Sequence, residues 1–282
     1  MNTDKKVWFI TGVSSGLGKQ LAKEVLSQGE IVVGTFRKQE QVEEFNNQNP
    51  GSSFGVLIDV ASNQMIVDGV KSIFDKFGKI DVVVNNAGYG IMGSIEEISD
   101  KEVRRQFEVN VFGYACFMQE VLPHMRAQKS GCIINISSIL GKISIPGFGW
   151  YAASKHAIEA LSETLRGEVM RFGINVVVIA PGLIKTEFAA KEFELLKTVK
   201  HAPAYQKLLA ALPRLLAGEP KAPGPEVIAK AVLNAATVSS PAMRHALPAD
   251  SKTAVIARWF LGGRIWADAV YAEYLFRAGS RF

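Results

Sequence analysis

Short runs of aliphatic and β-branched residues recur along the chain, each followed by a stretch with helical spacing. VWFIT (7–11) precedes a predicted helix near 16–28, EIVVGTF (30–36) one near 39–47, and SFGVLIDV (53–60) one near 63–77. DVVVN (81–85) precedes a long predicted helix near 100–128, CIINIS (132–137) leads to a helix over 151–171, and INVVVIA (174–180) follows. Most of these runs are apolar throughout and do not alternate, the pattern of strands with both faces covered. Repeated strand–helix units predict an α/β fold: a Rossmann-like, doubly wound parallel sheet of about seven strands with helices on both faces. In such a sheet ligands bind at the carboxyl ends of the strands.

After Pro181-Gly182 the pattern changes. Residues 183–225 read as helical fragments rich in Ala, Leu and Lys, broken at Pro203, Pro213, Pro220, Pro223 and Pro225. Residues 183–222 are expected to form a C-terminal substrate lid on a single domain spanning 1–282. A helix near 225–237, the short run MRHALP and a helical extension over 250–282 complete the chain. Several aromatics in 254–276 are expected to pack over the substrate mouth or against a second subunit in preference to a membrane, because the apolar run is short.

Composition narrows the function classes. With 48% hydrophobic and 21% charged residues, 282 residues can bury a large core. No stretch reaches the ~18 uninterrupted apolar residues of a membrane span. MNTDKKVWFITG runs straight into a strand without a signal peptide, and Cys116 and Cys132 lack metal or redox spacing; together they point to a cytoplasmic protein. The net charge of +5 is spread out and not interleaved with aromatics, so nucleic acid is not an expected partner. The four histidines are scattered, and no metal site is expected.

Candidate chemistry begins where the first strand ends, at TGVSSGLG (11–18). Glycines between a first strand and a first helix let the backbone turn tightly and approach a pyrophosphate at the helix N-terminus. The spacing is Gly-x3-Gly-x-Gly. The second strand ends in TFRK, with no carboxylate to accept from a ribose 2′-hydroxyl; Arg37, aided by Ser14, can pair with a 2′-phosphate, which favours NADP(H) over NAD(H). Asp59 can accept from an adenine amino group, and NNAG (85–88) brings small residues close to the cofactor.

In GFGWYAASKHA (147–157), Tyr151 and Lys155 stand four apart and so on one helix face. A cation near a phenol favours the phenolate, which would bring proton chemistry toward neutral pH. With TGVSSGLG, Asp59-Val60, NNAG, Asn110, Ile136-Ser137-Ser138 and Pro181-Gly182-x3-Thr186 in this order over roughly 6–190, the chain resembles a short-chain dehydrogenase/reductase. A softer similarity is to the 17β-hydroxysteroid dehydrogenase-like subgroup.

The resemblance implies roles. Tyr151 would be the acid/base that protonates a carbonyl oxygen, and Lys155 would lower its pKa and hold the nicotinamide ribose. Ser138, thirteen residues before Tyr151, would hold the substrate oxygen, while Ser137 turns the other way. Asn110 would fix a water linking Lys155 to solvent. The implied cofactor contacts are Gly12, Ser14, Ser15, Gly16, Leu17 and Gly18 in the cradle, then Arg37, Asp59, Val60, Asn86, Ala87 and Gly88. Tyr151, Lys155, Pro181, Gly182, Ile184 and Thr186 complete them, with Ile184 and Thr186 on the carboxamide.

The reading is an NADP(H)-dependent oxidoreductase moving hydride between nicotinamide and a small-molecule carbonyl or secondary alcohol, with reduction favoured. The substrate-side residues are Ser138, Leu140, Tyr151 and Leu183. Ile139, Phe148, Trp150, Tyr89, Ile91 and Met92 are further candidates, and their character suggests a hydrophobic or bulky ketone or aldehyde. The alternative is a catalytically silent dinucleotide-binding sensor or scaffold. In the family the helices near 100–128 and 151–171 form a shared face, so a homodimer or homotetramer is expected.

Overall fold

The computed structural model describes residues 5–185, 202–210, 212–213 and 222–277. Seven strands alternate with helices: β1 (Val7–Ile10), α1 (Gly16–Ser27), β2 (Ile31–Phe36), α2 (Gln39–Gln48), β3 (Ser53–Leu57), α3 (Asn63–Phe77) and β4 (Val82–Asn85). Then come α4 (Asp100–Phe107), α5 (Gly113–Gln128), β5 (Gly131–Ile136), α6 (Gly149–Val169) and β6 (Ile174–Pro181). The remaining elements are α7 (Pro203–Ala210), α8 (Glu226–Thr237), β7 (Arg244–Leu247) and α9 (Ala249–Arg277). The sheet order is β3-β2-β1-β4-β5-β6-β7, and every neighbouring pair is parallel.

Both faces of the central strands are dry. On β1, Trp8 and Ile10 join the core under α1 and α8, while Val7 and Phe9 join the core under α3 and α5. This alternation is the two-residue period of a strand applied to a sheet covered on both sides. Phe9 meets Phe117 of α5 edge to face at 5.1 Å between centroids. Each such fully buried side chain contributes about 1.5–3 kcal/mol relative to exposure.

Three boundaries differ from the sequence expectation. β3 ends at Leu57, so Asp59 and Val60 lie in the loop beyond it and do not close the strand. Between α4 and α5 the chain takes a π turn over Glu108–Phe112, which interrupts the long helix expected there. The MRHALP run contributes β7, paired in parallel with β6 through Arg244 to Leu247.

Strand order reverses between β1 and β4, because the chain winds outward from β1 in one direction and from β4 in the other. The loops that follow these two strands therefore lie at the switch point of the sheet, the place where doubly wound folds bind ligands. Thr11 ties the two loops together. Its Oγ1 accepts from the backbone N–H groups of Asn86 and Ala87, both at 2.9 Å.

Candidate active site

The glycine loop is shaped by close approaches that only a missing Cβ permits. Gly12 turns with φ at 71°, its N–H donates to Thr35 Oγ1 at 2.9 Å, and a Cβ there would stand 3.1 Å from Ala87. A Cβ on Gly18 would fall against the Gly12 carbonyl oxygen. The Asn86 amide closes the loop by donating to the carbonyls of Thr11 at 2.9 Å and Gly12 at 3.1 Å. Gly16, with φ at 55°, opens α1, and nothing lies within 4 Å of where its Cβ would be. Ser15, the N-cap, makes no side-chain cap bond. The first turn of α1 thus presents amide N–H groups and the positive end of its dipole to open space, which suits an anion.

At the end of β2, Arg37 and Lys38 are exposed. Asp59 pairs with Arg105 of α4 at 2.7 Å and accepts from the Ala61 N–H at 3.1 Å. Burial pushes the Asp59 carboxyl up, but the Ala61 N–H, Arg105 and the more distant Arg37 outweigh it and hold the group below its ordinary range. Arg105 carries no sequence signal, because its partner stands 46 residues away.

Lys155 is buried at 3% exposure, and its Nζ donates to the Ile136 carbonyl at 2.8 Å. The same carbonyl takes the Tyr114 hydroxyl at 3.3 Å. Burial brings Lys155 down to about 7, and Glu159 one turn further along α6 opposes that fall. Glu159 is itself buried between Lys142 at 2.9 Å and Arg244 at 2.8 Å. Burial raises the Tyr114 phenol far above its ordinary value, and Tyr151 adds to the rise, so Tyr114 stays a neutral donor.

Asn110 sits in the π turn, fully buried. Its amide donates to the Tyr89 carbonyl at 2.8 Å and to Ser154 Oγ at 3.1 Å, and its Oδ1 accepts from the Tyr89 N–H at 3.1 Å. A Cβ on Gly88 would stand 3.1 Å from Asn110 Oδ1 and 3.6 Å from Lys155 Nζ. The space beside Gly88 therefore lies between these two polar groups. The π turn widens the helix by one residue and aims Asn110 at this space.

Tyr151 is 7% exposed, with its ring centroid 5.8 Å from Lys155 Nζ. Ser138 Oγ accepts from the Leu140 N–H at 3.1 Å and reaches the Pro181 carbonyl at 3.5 Å. Ser137 is turned away, toward Gly141. Around the Tyr151 ring lies an apolar cluster of Met92, Leu140, Ile143, Phe148, Leu209 and Leu212, with Trp266 and Val255 of α9 packed on it.

A profile of the short chain dehydrogenase family matches residues 6–196. The chain belongs to the short-chain dehydrogenase/reductase family. It is 41% identical over 183 residues to the 3-ketodihydrosphingosine reductase of Bacteroides thetaiotaomicron, covering 65% of this chain and 65% of that one. To the NADPH-dependent 3-dehydrocapnine reductase of Ornithobacterium rhinotracheale it is 38% identical over 188 residues, covering 64% and 66%. The chain thus spans about two thirds of these relatives. A short-chain dehydrogenase structure from Streptomyces avermitilis superposes with a TM-score of 0.82 at 32% identity, covering 98% of this chain and 96% of that one.

As a short-chain dehydrogenase, the protein is an oxidoreductase that works with a nicotinamide dinucleotide. The chain's residues fit that group: side chains are excluded from the cradle at Gly12 and Gly18, and the first turn of α1 is open. The structure brings Ser138, Tyr151, Lys155 and Asn110 to the carboxyl ends of β4 and β5. Of the substrate-side residues, Leu140 joins Tyr151 in the apolar cluster, whereas Leu183 is 37% exposed and stands outside it. Ile184 packs on the core between the sheet and α1. Met92 and Phe148 join the cluster with Ile139 at its edge, Tyr89 packs on the opposite core, and Trp150 donates from Nε1 to the Ile95 carbonyl at 3.3 Å. Thr186 and most of the 183–222 lid segment lie outside the described residues. Sequence reasoning missed Glu159 although it stands four residues after Lys155 on the same face; it also missed Tyr114 and Trp266, which only the fold brings near.

Proposed function

We propose that the protein is an NADP(H)-dependent reductase of an apolar ketone or aldehyde. The observation that carries this reading is a buried, titratable Lys155 beside Tyr151, whose ring belongs to an apolar cluster that four separate stretches of chain supply. The pyrophosphate would rest on Gly12 to Gly18 and the first turn of α1, with Asn86, Ala87 and Gly88 facing the cofactor. Asp59 and Val60 would border the adenine. Pro181, Gly182 and Ile184 would border the nicotinamide. Arg37 supports the phosphorylated cofactor, because a guanidinium pairs with phosphate through two parallel bonds and no carboxylate ends β2 to repel it. One of the two relatives is named as NADPH-dependent, and both are named as reductases of a 3-keto or 3-dehydro compound.

A dinucleotide held by the Gly12–Gly18 loop and Lys155 would supply a hydride for the carbonyl carbon. Tyr151 donates its phenolic proton to the carbonyl oxygen as negative charge grows there, and Ser138 Oγ donates a hydrogen bond to the same oxygen. Lys155 titrates near neutral pH, so it can return a proton toward Tyr151. Asn110 Oδ1 and Lys155 Nζ both border the space beside Gly88, where a water held by Asn110 would link Lys155 to solvent. Leu140, Phe148 and Trp266 exclude water and hold the apolar body of the substrate, which strengthens each of these bonds. The exposed Phe112, in the π turn before α5, and Leu161, on α6, lie in the two segments that the family pairs and support a homo-oligomer.

NADPH consumption by the purified protein on a series of ketones and aldehydes tests the reading. Turnover rising with the length of the apolar chain is expected. Turnover of small polar carbonyls alone would overturn the apolar assignment, and tight NADPH binding with no turnover on any carbonyl would favour the sensor.

A further inference from the structure

Helix α9 consists of two helical stretches that meet at a bend at Gly262, where φ is 68° and ψ is 175°, outside helical values. Its inner side belongs to the substrate cluster. Val255, Trp266 and Val270 pack there, and Trp266 Nε1 donates to the Ser144 carbonyl at 3.2 Å. The outer side of the bend is a different surface. Trp259 is 77% exposed, Phe260 74% and Ile265 57%, with the two rings in edge contact at 4.8 Å.

Cations frame these side chains. The Arg258 guanidinium reaches across the bend to within 3.6 Å of where a Gly263 Cβ would stand. The Arg264 side chain is 95% exposed, with only a 4.0 Å approach to Asp268. The aromatics of 254–276 are thus divided: Trp266 turns inward, and Trp259 and Phe260 turn out.

We infer that the bend of α9 docks the protein on an anionic lipid surface, with Trp259, Phe260 and Ile265 in the interfacial layer and Arg258 and Arg264 on the headgroups. Tryptophan with aliphatic neighbours on one side and arginine at the flanks is the composition that settles at a membrane–water interface. Arginine gains from the negative potential of anionic lipid within about a Debye length. No described helix is long and apolar enough to cross a membrane, so the contact lies in the plane of the surface. The same helix covers the Tyr151 cluster, so docking brings the substrate side toward the lipid from which an apolar carbonyl would come. The docking itself does not rest on the carbonyl chemistry and is read without turnover.

The full chain is floated with vesicles of phosphatidylcholine alone and of phosphatidylcholine mixed with phosphatidylglycerol. Binding to the mixed vesicles is expected, weaker by about tenfold or more in Trp259→Ala/Phe260→Ala and in Arg258→Gln/Arg264→Gln, and reduced by added salt. Unchanged NADPH binding shows that the variants are folded. Equal flotation of wild type and both variants overturns the inference. So does failure of the wild type to float, and an aromatic variant that then sediments as a smaller species identifies a second copy as the occupant.

Discussion

The two ends of the site are built in opposite ways. At the proposed cofactor end, Thr11 to Gly18 and Asn85 to Gly88 are two short continuous segments, and their shape follows from glycine, a threonine hydroxyl and the first turn of a helix. At the proposed substrate end, Met92, Leu140, Phe148, Leu212 and Trp266 come from across the chain and meet only because the fold brings them together. The first end is local backbone chemistry, intolerant of change. The second is side-chain packing, which can be altered while the sheet beneath it stays intact. One fold can in this way keep a cofactor and exchange its substrates.

Substitutions should separate the ends. Gly18→Val places side-chain atoms against the Gly12 carbonyl and should weaken NADPH binding roughly a hundredfold, about 3 kcal/mol, read by fluorescence titration. Wild-type affinity in that variant would mean that the cofactor lies elsewhere. Trp266→Ala should leave NADPH affinity untouched and raise KM for an apolar carbonyl about tenfold. An equal loss of cofactor affinity would erase the division between the ends. Arg37→Asp should move the NADPH-to-NADH preference about tenfold toward NADH, by removing a phosphate partner and adding a repelling charge.

A different effect is on stability. Lys155 titrates near 7 when folded and near 10.5 when unfolded. Between these values the unfolded chain binds more protons, so this group makes the cofactor-free protein more stable as pH rises, by at most about 1.4 kcal/mol per pH unit. Lys155→Met should flatten that slope in melting curves taken between pH 7 and 10. A parallel slope in both proteins would show that Lys155 is not held near neutrality.

Legibility in the sequence followed the same division. The strands β1, β2, β4, β5 and β6 were legible because unbroken apolar runs mark strands buried on both faces. The glycine loop and the Tyr151–Lys155 spacing were legible because each lies within one short segment. The π turn at Asn110 was not, since EVNVF has the composition of ordinary helix and one inserted residue leaves no mark on hydrophobic spacing. β7 was hidden as well. Its four residues are half-buried and polar at Arg244 and His245, and pairing with β6 defines the strand. The Arg244–Glu159 contact and the Asp59–Arg105 pair bridge 85 and 46 residues, separations that no local pattern reveals.

The two ends meet at Tyr151, and the central claim is that its phenol supplies the proton. The most direct test measures NADPH affinity and turnover of an apolar ketone in Tyr151→Phe beside the wild type. Affinity within about twofold of wild type and turnover lower by about a thousandfold are predicted, within the range that a positioned acid contributes. Retained turnover in the phenylalanine variant would contradict the account.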